Sequence, residues 1–108
     1  MKPAILRQAA TADVEHAFTH YMQEAGAVVA REFVASVDGA LTHIERYPAS
    51  GSPRYGELCD IPGLRTWLLN RFPYLLAYIE HGDYLDVLRV LHQHADIPVH
   101  LTDAEVSQ

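Results

Sequence analysis

The spacing of apolar residues changes from a helical period to a strand period near residue 64. Upstream, apolar residues recur three and four positions apart in two stretches, which predicts two amphipathic helices. Downstream, Leu64, Thr66 and Leu68 alternate with Arg65 and Trp67, and two more apolar runs follow, which predicts strands. Helices that precede strands in this order pack on one face of an antiparallel sheet. The predicted class is therefore α+β.

Two consecutive helices are predicted over about residues 12–47. Asp13 is typical of the first turn of a helix, Gly26 interrupts the apolar pattern, and Pro48 ends it. A short joint between two such helices is typical of a helical hairpin. Residues 3–8 precede the hairpin and are interpreted as a short first strand or an extended arm.

The remainder divides into a loop, a sheet and a tail. Residues 48–63 are rich in proline and glycine. A loop of that length is often functional, although a passive crossover to the sheet fits the same composition. Residues 64–92 are predicted to form a three-stranded antiparallel meander, and residues 93–108 a polar tail. The whole chain, residues 1–108, is interpreted as one domain.

The turn between the last two strands fixes a predicted register. Gly-Asp at residues 82 and 83 is a two-residue hairpin signal. With His81 opposite Tyr84 across that turn, Leu76 would face Arg89.

Charge and cysteine content narrow the function classes. The chain has 8 Lys+Arg against 14 Asp+Glu, a formal net charge of −6, which argues against nucleic-acid binding through bulk electrostatics. The lone Cys59 excludes an internal disulfide, and the cytoplasm is the expected compartment. No apolar run approaches the length of a membrane span, and no signal peptide is predicted.

Three arginines fall on or near neighbouring predicted strands. Arg65 lies on the first, Arg71 near its end, and Arg89 on the last. Arginine suits fork-like contact with carboxylate or phosphate, so convergence on one sheet face would make a binding site. Ordinary surface ion pairs fit the same spacing at least as well.

Histidines supply the other candidate chemistry. His92 and His94 would share a strand face, with His100 as a third possible metal ligand. No cysteine or carboxylate stands at a recognised metal spacing beside them, so we predict no metal and no cofactor. His92 alone suits general acid or base catalysis, because its ordinary pKa lies near neutrality. Cys59 is expected to be half-buried rather than catalytic.

Residues 62–92 closely resemble the ParE/RelE toxin superfamily. The most specific parts are Phe-Pro-Tyr at residues 72–74 and Leu-Arg-Val-Leu-His at residues 88–92, and the resemblance is closer to the ParE plasmid-stabilisation branch. It implies the toxin of a type II toxin–antitoxin module. It also implies a hetero-oligomer with a small ParD-like antitoxin that wraps over the hairpin and the sheet.

The two branches imply different targets. ParE-like toxins act on DNA gyrase, whereas RelE-like toxins cleave messenger RNA on the ribosome. For an RNase, the resemblance would assign catalysis to Arg65, Arg71, Arg89 and His92. The acidic charge favours a protein target instead, since phosphate cleavage needs dense positive charge. An inactive homologue that acts only as a binding module is a further alternative. Partner contacts are expected at the three arginines and at Tyr74 and Tyr78.

Overall fold

A computed structural model describes the backbone of residues 1–106 and the side chains of residues 1–102. The elements are β1 (Ala4–Leu6), α1 (Gln8–Ala25), α2 (Ala27–Arg46), a 3₁₀ turn (Pro48–Ser50), α3 (Arg54–Leu58), β2 (Leu64–Leu68), β3 (Tyr74–Glu80), β4 (Leu85–His92) and α4 (Ile97–Val106). This order of a strand, a helical hairpin and a meander confirms the predicted α+β class. The last part of the predicted polar tail, residues 107 and 108, lies outside the described residues.

The sheet has four strands in the order β1-β4-β3-β2. The meander is antiparallel as predicted, and the first strand joins it in parallel, with Ala4 opposite Leu85. On the outer side of β1, the amide of Ala4 donates to Glu45 Oε2 of α2 at 2.7 Å. The opposite edge of the sheet is β2.

The register prediction is correct at the turn and wrong beyond it. The amide of His81 donates to the carbonyl of Tyr84 at 2.8 Å, as the two-residue turn requires. Farther along, Leu76 lies opposite Val90 and not opposite Arg89. A β-bulge causes the difference, because one extra residue in β4 shifts all the pairs that follow it.

The helical hairpin begins earlier than predicted. The first helix starts at Gln8, so Asp13 lies in its second turn and not in its first. The helix ends at Gly26, whose φ of +92° favours glycine and whose amide donates to the carbonyl of Tyr21 at 2.9 Å. Gly39 does not break α2, which runs to Arg46.

Both faces of the sheet are covered by helices. The hairpin packs on one face over a core that includes Phe33, Ile44, Leu76, Tyr78 and Val87. The opposite face has its own core, which includes Leu64, Leu88, Ile97 and Leu101. The predicted 48–63 loop contains a short helix, α3. The predicted polar tail forms α4, because Ile97 and Leu101 are buried against the sheet. Within residues 1–106, no helix combines the length and apolarity that a membrane crossing requires.

Candidate functional site

Arg89 is held inside the fold by a carboxylate. Its Nε and Nη2 atoms each donate to Asp13 at 2.7 Å, and the amide of Val90 also donates to Asp13 at 2.9 Å. The two side chains are only 18% and 14% exposed. One carboxylate of α1 therefore accepts three hydrogen bonds from β4, and the charge of Arg89 is matched by an internal anion.

Arg65 contacts a different part of the chain. Its Nη1 donates to the carbonyl of Gly51 at 2.8 Å, and the amide of Gly51 donates to Tyr78 Oη at 3.1 Å. The Tyr78 hydroxyl in turn donates to the carbonyl of Pro48 at 2.7 Å. A Cβ added at Gly51 would lie 2.5 Å from that hydroxyl oxygen, so only glycine fits this approach.

The enclosed position of Tyr78 affects its ionisation. The side chain is fully buried. Burial raises the pKa of Tyr78, and the hydrogen bond with Gly51 and the charge of Arg65 act in the opposite direction. This residue holds the loop to the sheet from within and offers no surface of its own. The prediction that it contacts a partner stays a prediction.

Arg71 lies in the turn that follows β2 and is the most exposed of the three arginines. Its φ is +73°, and its Nη1 approaches Glu32 of α2 at only 3.4 Å, with the Arg71 side chain 67% exposed. Arg89 thus contacts α1, Arg65 contacts the loop before α3, and Arg71 contacts α2.

Tyr74 and His92 do lie together, in an aromatic cluster where β3 begins and β4 ends. The ring of Tyr74 is 5.1 Å from that of His92 and 5.2 Å from that of Phe33, and Tyr21 is 6.3 Å away. Burial raises the pKa of Tyr74, and the nearby Tyr21 raises it further. The amide of His94 donates to Nδ1 of His92 at 3.1 Å. Most of this cluster is packing rather than an open site.

The candidate metal ligands are separated by secondary structure. His92 ends β4, whereas His100 lies on α4. Among the side chains of residues 1–102, no group of three or more His, Cys, Asp or Glu is arranged to hold a metal ion. Cys59 is a free thiol of intermediate exposure.

A groove between α2 and β2 was not predicted from the sequence. This helix-side groove has a volume of about 670 Å³ and is lined by residues that include Gly39, His43, Trp67, Leu69 and Arg71. The rings of His43 and Trp67 stack at 4.0 Å with their planes 17° apart, and His43 Nε2 lies 3.0 Å from Ser50 Oγ. The one sequence feature that could have indicated this groove is Gly39, because a glycine in the middle of a helix lowers its stability and caps neither end.

A second cavity lies on the other side of the same strand. This opposite cavity has a volume of about 510 Å³ and is lined by residues that include Arg54, Tyr55, Thr66, Leu75 and Gln93. Leu68 borders both spaces and is 58% exposed. An exposed leucine between two apolar concavities is the kind of surface that binds another protein.

Comparisons with known proteins assign the fold and the family. The family model described as "ParE toxin of type II toxin-antitoxin system, parDE" matches residues 4–97. Among solved structures, a chain of the "Chromosomal ParDE TA system from P. aeruginosa" superposes with a TM-score of 0.71 at 22% identity, covering 85% of this chain and 96% of that chain. That likeness shows a shared fold. A search of curated proteins found no match. Because the family match includes both long helices and the whole sheet, this chain belongs to the ParE toxin family of type II toxin–antitoxin systems.

Proposed function

We propose that this toxin inhibits DNA gyrase by binding to it in the cytoplasm, and that a ParD-like antitoxin neutralises it within a hetero-oligomer. Membership of the ParE family supports a toxin of this kind. The observation that favours binding over RNA cleavage is the state of Arg89, a candidate phosphate ligand that already forms two 2.7 Å hydrogen bonds to Asp13.

Phosphodiester cleavage needs positive charge that is preorganised and unmatched, because negative charge develops on the phosphate in the transition state. The guanidinium of Arg89 is matched by a carboxylate and mostly buried. Arg65 directs one of its donors to a backbone carbonyl. In a chain of net charge −6, these two contacts leave Arg65 and Arg89 poorly placed to bind an RNA backbone. They support a toxin that acts on a protein.

Arg71 and Tyr74 remain the best candidates for partner contact from the predicted set. Arg71 is largely exposed and only weakly paired. Arginine and tyrosine are both enriched at protein interfaces. We therefore propose that antitoxin carboxylates pair with Arg71, and that Arg71→Glu weakens the toxin–antitoxin complex. Arg31→Glu is the matched control, since Arg31 is an exposed arginine of α2 that does not line the helix-side groove.

A supercoiling assay tests the proposed target. Purified toxin is titrated into gyrase with relaxed plasmid, and we expect supercoiling to fall with dose and to return when antitoxin is added. Gyrase that stays fully active at excess toxin would contradict the proposal.

A parallel reaction with ribosome-bound transcript separates the RNase alternative. We expect the transcript to remain intact. Cleavage that is abolished in His92→Ala would assign the toxin to RNA chemistry instead, because His92 is the candidate acid or base.

A further inference from the structure

The outer edge of β2 is partly used by the chain itself. The amide of Ser52 donates to the carbonyl of Thr66 at 2.8 Å, and the amide of Thr66 donates to the carbonyl of Ser52 at 2.9 Å. This antiparallel bridge lies on the side of β2 that faces away from β3. The edge therefore already accepts an extended segment at one position.

Two residues farther along, the same edge is open. In an antiparallel pair, the backbone groups of alternate residues point toward and away from the neighbouring strand. Since those of Thr66 point outward, those of Leu68 point outward as well, and the amide of Leu69 points inward to the carbonyl of Tyr74 at 2.8 Å. On this outward side, no backbone group of residues 1–106 bonds to the amide or carbonyl of Leu68.

An exposed, unpaired edge with an apolar side chain is unusual for a protein that has no partner there. Natural sheets protect such edges with charges, prolines or covering segments. Here the outward amide of Ala4 on the other edge, β1, is bonded to Glu45, whereas no backbone group of residues 1–106 meets the outward amide of Leu68. The contrast indicates that β2 is kept open for an incoming strand.

The spaces on either side of Leu68 match the side chains of an added strand. Successive residues of a strand point to opposite faces of the sheet. A strand paired at Leu68 would thus direct one side chain into the helix-side groove of about 670 Å³ and the next into the opposite cavity of about 510 Å³. Backbone pairing supplies affinity in this mode, and the pockets supply specificity.

The charges at this edge indicate the chemistry of the occupant. Arg54 borders the opposite cavity, and Arg71 borders the helix-side groove. Within the part of the chain that the structure describes, no ion pair is found for Arg54, and that of Arg71 is long at 3.4 Å. An occupant with an apolar side chain and flanking carboxylates complements both features.

We propose that an extended, acidic segment of the antitoxin adds to the sheet at Leu68, with alternate side chains in the helix-side groove and the opposite cavity. This inference rests on the proposed antitoxin partner and names the place where it binds. The segment continues the antiparallel edge pairing that Ser52 begins.

Hydrogen exchange on the purified complex with the antitoxin encoded beside the toxin gene is the primary test. Within residues 1–106 the outward amide of Leu68 has no backbone acceptor, so it should exchange rapidly in the free toxin and slow at least tenfold in the complex. The amide of Leu69 is already bonded and is the internal reference. A Leu68 amide that exchanges equally fast in both states overturns the inference.

Variants at Leu68 separate backbone pairing from side-chain contact. Leu68→Pro removes the outward amide, which has no backbone acceptor within residues 1–106. Edge strands tolerate proline at such a position. Leu68→Ala keeps the amide. We expect Leu68→Pro to weaken the complex about tenfold more than Leu68→Ala, the effect of one lost interface hydrogen bond. Equal losses would overturn strand addition.

A third variant keeps the test decisive if the proline chain does not fold. Gly39 has nothing within 4 Å of an added Cβ, so Gly39→Leu should fold while its side chain occupies the helix-side groove. Thr42→Leu, at an exposed position of α2 outside that groove, is the matched control. We expect at least tenfold weaker antitoxin binding for Gly39→Leu alone. Unchanged binding in both variants would show that the groove is not used.

The outcomes distinguish this inference from the proposed function. An antitoxin that does not bind the unaltered chain overturns the proposed partner, and the inference with it. A tight complex in which Leu68 stays unprotected overturns only the inference. Free toxin that sediments as a dimer with Leu68 protected would show that a second copy of this chain occupies the edge, which also overturns it.

Discussion

Replacing Asp13 with alanine removes the acceptor for three hydrogen bonds that join α1 to β4. Two come from the guanidinium of Arg89, both at 2.7 Å, and one comes from the amide of Val90 at 2.9 Å. The variant leaves a mostly buried cation and a backbone amide without these contacts. Ala10 and Ala17 of α1 are buried, and Val14 and Tyr21 pack against the same core, so this polar contact adds to an apolar attachment of the helix.

The expected cost can be estimated from the burial of the pair. Breaking a fully buried ion pair by removing one partner costs about 3–5 kcal/mol. The two side chains retain 18% and 14% exposure, so we expect the lower end, about 3 kcal/mol. That is a large part of the free energy of unfolding of a small domain, which is roughly 5–15 kcal/mol.

Urea unfolding followed by circular dichroism measures the loss. With a denaturant slope of about 1.5 kcal/mol per molar urea, the midpoint of Asp13→Ala should fall by about 2 M. Glu32→Ala is the matched control, because it removes the exposed 3.4 Å contact with Arg71 and should cost less than about 0.5 kcal/mol. A loss below about 1 kcal/mol for Asp13→Ala would refute the reasoning.

A double variant checks that the loss comes from the pair. Asp13→Ala combined with Arg89→Met removes the guanidinium along with its carboxylate partner. We expect the double variant to be less destabilised than the sum of the two single variants by about 2 kcal/mol, since contacting residues are not additive. Strict additivity would show that the two residues stabilise the fold independently.

Two further measurements address the loop and the three tyrosines whose pKa is raised. Gly51→Ala should lower the free energy of unfolding by about 1–3 kcal/mol, because its Cβ would lie 2.5 Å from Tyr78 Oη. Gly82→Ala is the control and should be nearly neutral, because nothing lies within 4 Å of its added Cβ. Equal thermal midpoints for the two variants would contradict this prediction. Burial raises the pKa of Tyr21, Tyr74 and Tyr78 above 10.0 in the folded chain. Their contribution to the free energy of unfolding is therefore complete below pH 10 and is lost as the pH rises through the pKa values of the folded chain. Urea midpoints that stay constant at alkaline pH would contradict this prediction.

Local patterns predicted most of the elements and the family. The helical period, the strand period and the turn at residues 82 and 83 are all properties of neighbouring residues, and the structure confirms the elements that they predict. The bulge in β4 was missed because it depends on how two strands pack rather than on the sequence of either one. α4 was missed because its place in the fold depends on the burial of Ile97 and Leu101 against the sheet, which is a contact between distant segments.

The candidate site was less predictable than the fold. Spacing placed Arg65, Arg71 and Arg89 near one another on neighbouring strands, yet each contacts a separate segment. The partner of Arg89 is Asp13, 76 positions away, and no local pattern links two such residues. The same limit applies to the helix-side groove, whose walls come from α2 and β2.

The sequence by itself determined the order of the first strand, the helical hairpin and the meander, the acidic charge and the ParE-type motifs, because each of these is carried by residues that are close in the chain. Only the tertiary structure decided which charges are matched and which backbone groups stay open. Arg89 is matched because the helical hairpin folds back onto β4, and the backbone of Leu68 is open because β2 lies at the edge of the sheet. Both are consequences of contacts between distant segments, which composition and spacing do not encode.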